Sequence, residues 1–202
     1  KTPFFLEKWM TLKTDDPTLY IRERVTNEGA VPLEFMWGHH PALGAPFLDE
    51  NCEILLNGDC RVHTLAGNTL PAYSQMGWPV AEDTKGEPID LSRVRPPEAQ
   101  KYIEYGILGI LDHRYCVWNH RLNIGFGMNW DDRVFPYLWV WEPDCGAMGY
   151  PWYGRNYALG MEPWSHLSEN LEEVVKEGTG ILIKPGESIL THLEAYVCTE
   201  KP

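Results

Sequence analysis

Apolar and polar residues alternate along much of the chain. Leu19, Ile21, Glu23 and Val25 share one parity while Tyr20, Arg22 and Arg24 take the other, the period of two expected of a half-buried strand. Residues 4–12 predict a strand before it, and Asp15-Asp16-Pro17 predicts the turn between them. After a second turn at Thr26-Asn27-Glu28-Gly29, residues 33–37 predict a strand that delivers His39-His40 at its C-terminal end. Residues 53–56 and 60–64 flank Asn57-Gly58-Asp59, a hairpin pattern. Residues 114–118 and 122–129 predict another hairpin around Asn119-His120-Arg121. Strands are also expected at 101–111 and at 137–141, where the period of two puts Trp139 and Trp141 on one face. Residues 157–162 read as a short strand closed by Pro163. A last hairpin is expected from residues 180–184 and 188–198 across Pro185-Gly186-Glu187. Ile189, Thr191, Leu193, Ala195 and Val197 would share its buried face, with His192 turned to solvent.

The remaining segments interrupt this pattern. Residues 65–100 are rich in Pro, Gly and charge and predict a long surface excursion with short structured pieces. Residues 143–155 form a second Gly/Pro-rich loop. A modest helix is expected, capped by Ser168, striped by Leu171, Val174 and Val175 and stopped by Gly178. With roughly ten strands and no helices to make parallel crossovers, residues 1–202 predict one all-β domain, a large antiparallel β-sandwich.

Composition narrows the function. Hydrophobic residues are 44% of the 202, enough for a substantial core. The net charge of −12 disfavours nucleic acid and anionic lipid as partners. No apolar run approaches the ~18 residues of a membrane helix. Five cysteines, an odd number without a Cys-x-x-Cys, argue against a disulfide framework or structural zinc and for a reducing, cytoplasmic setting. The chain opens with Lys1-Thr2-Pro3 and runs straight into strand-like sequence, so a preceding N-terminal segment is expected to be missing. Nine Trp and ten Tyr supply core, and also flat faces with polar tips that suit sugar rings.

Two stretches carry the candidate chemistry. In Trp37-Gly38-His39-His40-Pro41, adjacent side chains point to opposite faces, and Pro41 holds His40 extended. In Ala158-Leu159-Gly160-Met161-Glu162-Pro163, the carboxylate stands alone in an uncharged run, where burial would lift its pKa toward that of a general base. A metal site would need His39, His40 and one of Glu50, His63 or Glu162; adjacent imidazoles diverge and no His-x-His occurs, so no metal is expected. Nucleotide-binding and serine-hydrolase motifs are absent, and Gly125-x-Gly127 reads as a bulge.

In order and spacing, these stretches resemble the aldose 1-epimerase (galactose mutarotase-like) superfamily, in its bacterial branch. His40-Pro41-Ala42-Leu43 is similar to that family's His-Pro-Ala-Phe segment, and Met161-Glu162-Pro163 to its Leu-Glu-Pro segment. Val25-Thr26-Asn27, residues 135–141 and residues 151–155 add to the likeness, which runs from about Phe4 to Val197. The resemblance implies a supersandwich in which Glu162 is the catalytic base and His40 the acid. It also implies a sugar-binding set of His39, Trp139 or Trp141, Arg155 and Asp112, the last from an Asp-His segment at 112–113. It implies a small-molecule sugar as partner and no cofactor, and a homodimer is compatible with it. Full-length members carry further N-terminal strands, so residues 1–202 would be the C-terminal two-thirds of such a protein. Two readings compete: a sandwich that binds sugar without turning it over, and a metal-dependent β-fold enzyme.

Overall fold

The structure, a computed structural model, describes residues 2–65 and 69–202. Sixteen strands and one α-helix are present among the described residues. In chain order they are β1 (Phe4–Thr11), β2 (Thr18–Asn27), β3 (Leu33–Phe35), β4 (Ala42–Leu43), β5 (Cys52–Leu55), β6 (Gly58–Thr64), β7 (Gln75–Gly77), β8 (Val80–Glu82), β9 (Pro88–Asp90), β10 (Ile103–Ile110), β11 (Arg114–Asn119), β12 (Ile124–Trp130), β13 (Tyr137–Glu142), β14 (Leu159–Trp164), α1 (Leu171–Glu177), β15 (Ile181–Ile183) and β16 (Ser188–Cys198).

Two six-stranded antiparallel sheets form the sandwich, in the orders β1-β2-β16-β12-β11-β5 and β4-β14-β13-β10-β6-β7. Alternation decides what each buries. In the first sheet Ile21, Leu193 and Trp130 stand in one cross-strand row and face inward. In the second, Ile103, Tyr105 and Ile107 of β10 meet Leu138 and Val140 of β13 and Leu159 and Met161 of β14 in the core. The opposite parity of these three strands, Glu104, Gly106, Trp139, Trp141, Gly160 and Glu162, lies on the face turned away from the core.

The all-β antiparallel sandwich is as the sequence predicts, and β11–β12 is the expected hairpin. Two other hairpins are not. β5 pairs with β11 in the first sheet while β6 pairs with β10 in the second, so Asn57-Gly58 is a corner between sheets. Gly58 has φ 123° and lies against the Gly109 carbonyl, where a side chain would collide. β15 pairs with β3, and β16 with β2 and β12. The turn between β15 and β16 wraps Asn27 instead, whose side-chain amide donates to Ile183 O at 3.0 Å.

β14 continues through Pro163. The Met161 and Ser165 N–H groups donate outward to Pro41 O and Trp37 O, at 3.1 and 2.9 Å. Pro163 has the same parity, so its missing N–H falls on that side and the ladder to β13 is intact. The helix is capped by Asn170, which accepts from Glu172 N, rather than by Ser168, and only Val174 of its apolar stripe is buried. The excursion after residue 65 is less superficial than expected: Leu70, Ala81, Ile89, Leu91 and Val94 are buried and join the core. Residues 66–68 of it lie outside the described residues. Among the described residues no helix is long and apolar enough to cross a membrane.

Candidate active site

Cross-strand register builds the site on the outer face of the second sheet. Glu104, Trp141 and Gly160 form one row, and Gly106, Trp139 and Glu162 the next. Gly160 leaves room for the Glu162 carboxylate to fold back over it; a Cβ there would sit 2.5 Å from Oε1. The Trp164 indole N–H donates to Glu162 Oε2 at 3.1 Å. His40 Nε2 lies 3.2 Å from Glu162 Oε1. The His40 side chain is 58% exposed and that of Glu162 only 6%, so the imidazole stands at the mouth and the carboxylate at the base. Burial pushes the Glu162 pKa above its ordinary 4.5, opposed by the nearby His40 and the Trp164 hydrogen bond and reinforced by Glu104. Gly160→Ala should displace the carboxylate and cut turnover by about a hundredfold, the order of loss from a misplacement of roughly 1 Å. The rate of the reaction the pair runs, measured beside the melting temperature, checks it, since a general folding defect would lower both.

Aromatic groups wall the pair. Trp141 meets His40 edge-on at 5.7 Å between ring centroids and leans on Trp152 at 5.6 Å. Its indole N–H donates to Tyr102 Oη (3.2 Å), whose hydroxyl donates to Glu104 Oε2 (2.6 Å). Glu104 is a second carboxylate at the site. Its burial and Glu169 raise its pKa, against the Tyr102 hydrogen bond and His40. Sequence reasoning passed over it, because its place beside Trp141 depends on pairing between β10 and β13, far apart in the chain.

The structure separates the predicted site residues. His40, Glu162 and Trp141 come together. Trp139 is buried beneath them, its indole N–H donating to His166 O at 2.9 Å and its ring against Trp164. It supports the floor and has no free face for a sugar. His39 points the other way: Nε2 is 2.9 Å from Glu23 Oε2 in the first sheet, and its ring packs edge-on against Phe135. Glu23 is buried and also takes Lys8 Nζ at 2.8 Å. Asp112 follows the far end of β10, about 20 Å along the strand from Glu104 at ~3.3 Å per residue, so it is not part of this site. Arg155 is exposed on the loop that carries Trp152. Among the described residues no three His, Cys, Asp or Glu side chains converge as a metal ion would require.

That loop is fixed at its neck. Arg95 bridges Glu142 and Asp144, both fully buried, with Nε 3.1 Å from Asp144 Oδ2. The Cys145 N–H donates to Asn156 O at 2.9 Å. Burial and the neighbouring Asp144 push the Glu142 pKa up to about 7 despite Arg95. One guanidinium serves two carboxylates, so a negative charge is left unbalanced inside only as pH rises through about 7 and Glu142 loses its proton.

The fold is that of the galactose mutarotase-like sandwiches. The chain superimposes on a galactose mutarotase-like protein from Lactobacillus casei with a TM-score of 0.64 at 17% identity, covering 96% of this chain and 63% of that one. For the aldose epimerase homologue from C. elegans the values are 0.63 and 13%, covering 98% and 61%. For the Slr1438 protein of Synechocystis sp. PCC 6803 they are 0.67 and 17%, covering 98% and 55%. The chain thus spans between about half and two-thirds of the length of these structures. No protein-family profile matches the sequence, and no curated protein matches it.

Proposed function

We propose that the chain carries the acid–base site of an aldose 1-epimerase, interconverting the α and β anomers of an aldose. The observation that carries this is the contact of a buried carboxylate, raised in pKa, with a solvent-facing imidazole, walled by tryptophan. A ring-opening acid–base reaction needs this pairing. Glu162 removes the proton of the anomeric hydroxyl, and His40 gives one to the ring oxygen. The C1–O5 bond breaks to the open aldehyde; rotation about C1–C2 and reclosure by the reverse transfers give the other anomer. A sugar entering at the exposed His40 separates the two side chains and takes a place between them. Trp141 offers it a face, and Glu104 accepts from a neighbouring hydroxyl. The scheme uses side chains alone. The fold shared with galactose mutarotase-like proteins supports it.

The test is NMR of anomer exchange on freshly dissolved α-glucose and α-galactose. Acceleration by the wild-type chain that is lost in the Glu162→Gln variant establishes the reading. Binding without acceleration for any common aldose would make the chain a carbohydrate-binding module instead.

A further inference from the structure

The loop of residues 145–155 projects beside the site with an unusual surface. Met148, Tyr150, Trp152 and Tyr153 are 56%, 84%, 41% and 59% exposed. Residues 145–154 carry no charge. Backbone bonds fix the turn internally: Trp152 N and Tyr153 N both donate to Gly149 O, at 3.0 and 2.9 Å, and Gly154 N donates to Ala147 O at 2.8 Å. At its neck Cys145 bridges to Lys101 as well as to Asn156. Exposed aromatics on a pre-set turn are poised to bind, since little ordering remains to be done. The surface is continuous with the site, because Trp152 rests on Trp141 and Trp141 on His40. Tyr150 and Tyr153 share the turn with Trp152, their rings 6.2 Å apart and nearly perpendicular.

We propose that this loop is a second sugar subsite. The reducing-end unit of a neutral disaccharide, or of a longer oligosaccharide, sits at His40 and Glu162, and the next unit lies across Tyr150 and Tyr153. This rests on the epimerase reading of the first site. The uncharged turn fits a neutral ligand, and the tyrosines combine a flat apolar face with a polar tip, as a pyranose ring does. A protein partner fits less well, because one ten-residue turn is narrow beside the ~800 Å² each side of a stable interface buries.

The experiment compares anomer exchange of glucose, maltose and cellobiose by the wild type and by Tyr150→Ser/Tyr153→Ser. Both positions are exposed, so the variant folds and glucose turnover should stay within about twofold. Wild-type kcat/KM for at least one disaccharide should exceed that for glucose by about three- to tenfold, and the variant should lose that advantage. Equal treatment of the disaccharides by both proteins overturns the subsite and leaves the epimerase reading standing. If no sugar is exchanged at all, the epimerase reading fails, and saturation-transfer NMR with the same disaccharides decides the subsite by itself. Saturation of both rings by the wild type, falling to one ring in the variant, supports it; saturation of one ring or of none by the wild type overturns it. A dimer in sedimentation that the variant dissociates would assign the patch to self-association and also overturn the proposal.

Discussion

Glu162→Gln should abolish anomer exchange, lowering it by about 10²–10⁴-fold, the usual contribution of a positioned general base, while sugar binding survives. The same change should make the protein more heat-stable at neutral pH. Burial lifts the folded pKa of Glu162 above its ordinary 4.5, so over that window the folded state holds a proton that the unfolded state has released. Stability therefore falls as pH rises through the window. Glutamine carries no such penalty and still accepts the Trp164 N–H. The stability gap between variant and wild type should open above about pH 4.5 and vanish below it. Melting curves at pH 4 and 7.5 check this. An equal gain at both values would mean that burial of charge is not the cause, whatever the kinetics show. His40→Asn should act in the opposite sense on the base: loss of the imidazole removes a group that favours the carboxylate, so the remaining activity should appear only at higher pH.

The largest stability effect is expected at Arg95, outside the catalytic pair. Arg95→Met leaves Glu142 and Asp144 buried without a cation. Removing one partner of a buried ion pair costs about 3–5 kcal/mol. For a chain of this size that lowers the melting temperature by about 10 °C. The loop of residues 143–156 should loosen with it, and turnover should drop because Trp152 no longer braces Trp141. Glu142→Gln should do the reverse at neutral pH. With its folded pKa near 7 against an ordinary 4.5, Glu142 contributes stability below about pH 4.5 that is lost as pH rises through 7. The glutamine variant leaves Arg95 with one carboxylate and no unbalanced charge. Its melting temperature should exceed the wild type's at pH 8 and not at pH 5. Amide exchange of residues 143–156 in Arg95→Met separates a local loosening from global loss.

The strands were legible because their signal is local. Period-two alternation in Leu19–Val25 and in Tyr137–Trp141 is fixed by the pleat, and it put Trp139 and Trp141 on one face, as found. Sheet membership was not legible. Asn57-Gly58 has hairpin chemistry, yet Gly109, fifty residues on, packs against Gly58 and makes the turn a corner between sheets. Glu162 stood out because an isolated carboxylate among Leu159, Gly160 and Met161 needs a partner, and His40 is in contact with it. Trp139 lies buried beneath His40 and Glu162 and Asp112 lies away from them, places not legible for one reason: residue type suggests what a side chain can touch, and only register and strand length say what lies within reach. Glu104 was invisible for the converse reason. Nothing in its own neighbourhood marks it, and its role follows from the strand beside it.

The pair of histidines has a mechanical consequence. The His39 backbone N–H is bonded to Pro163 in the second sheet, one residue from Glu162, while its side chain is held by Glu23 and, through it, by Lys8 in the first. One peptide unit later comes His40, the proposed acid. In the proposed ring opening, the spacing between the group that takes the anomeric hydroxyl proton and the group that protonates the ring oxygen would thus be gauged by the separation of the two layers. Substitutions in β1 and β2, strands outside the candidate site, would reach His40 through this strut.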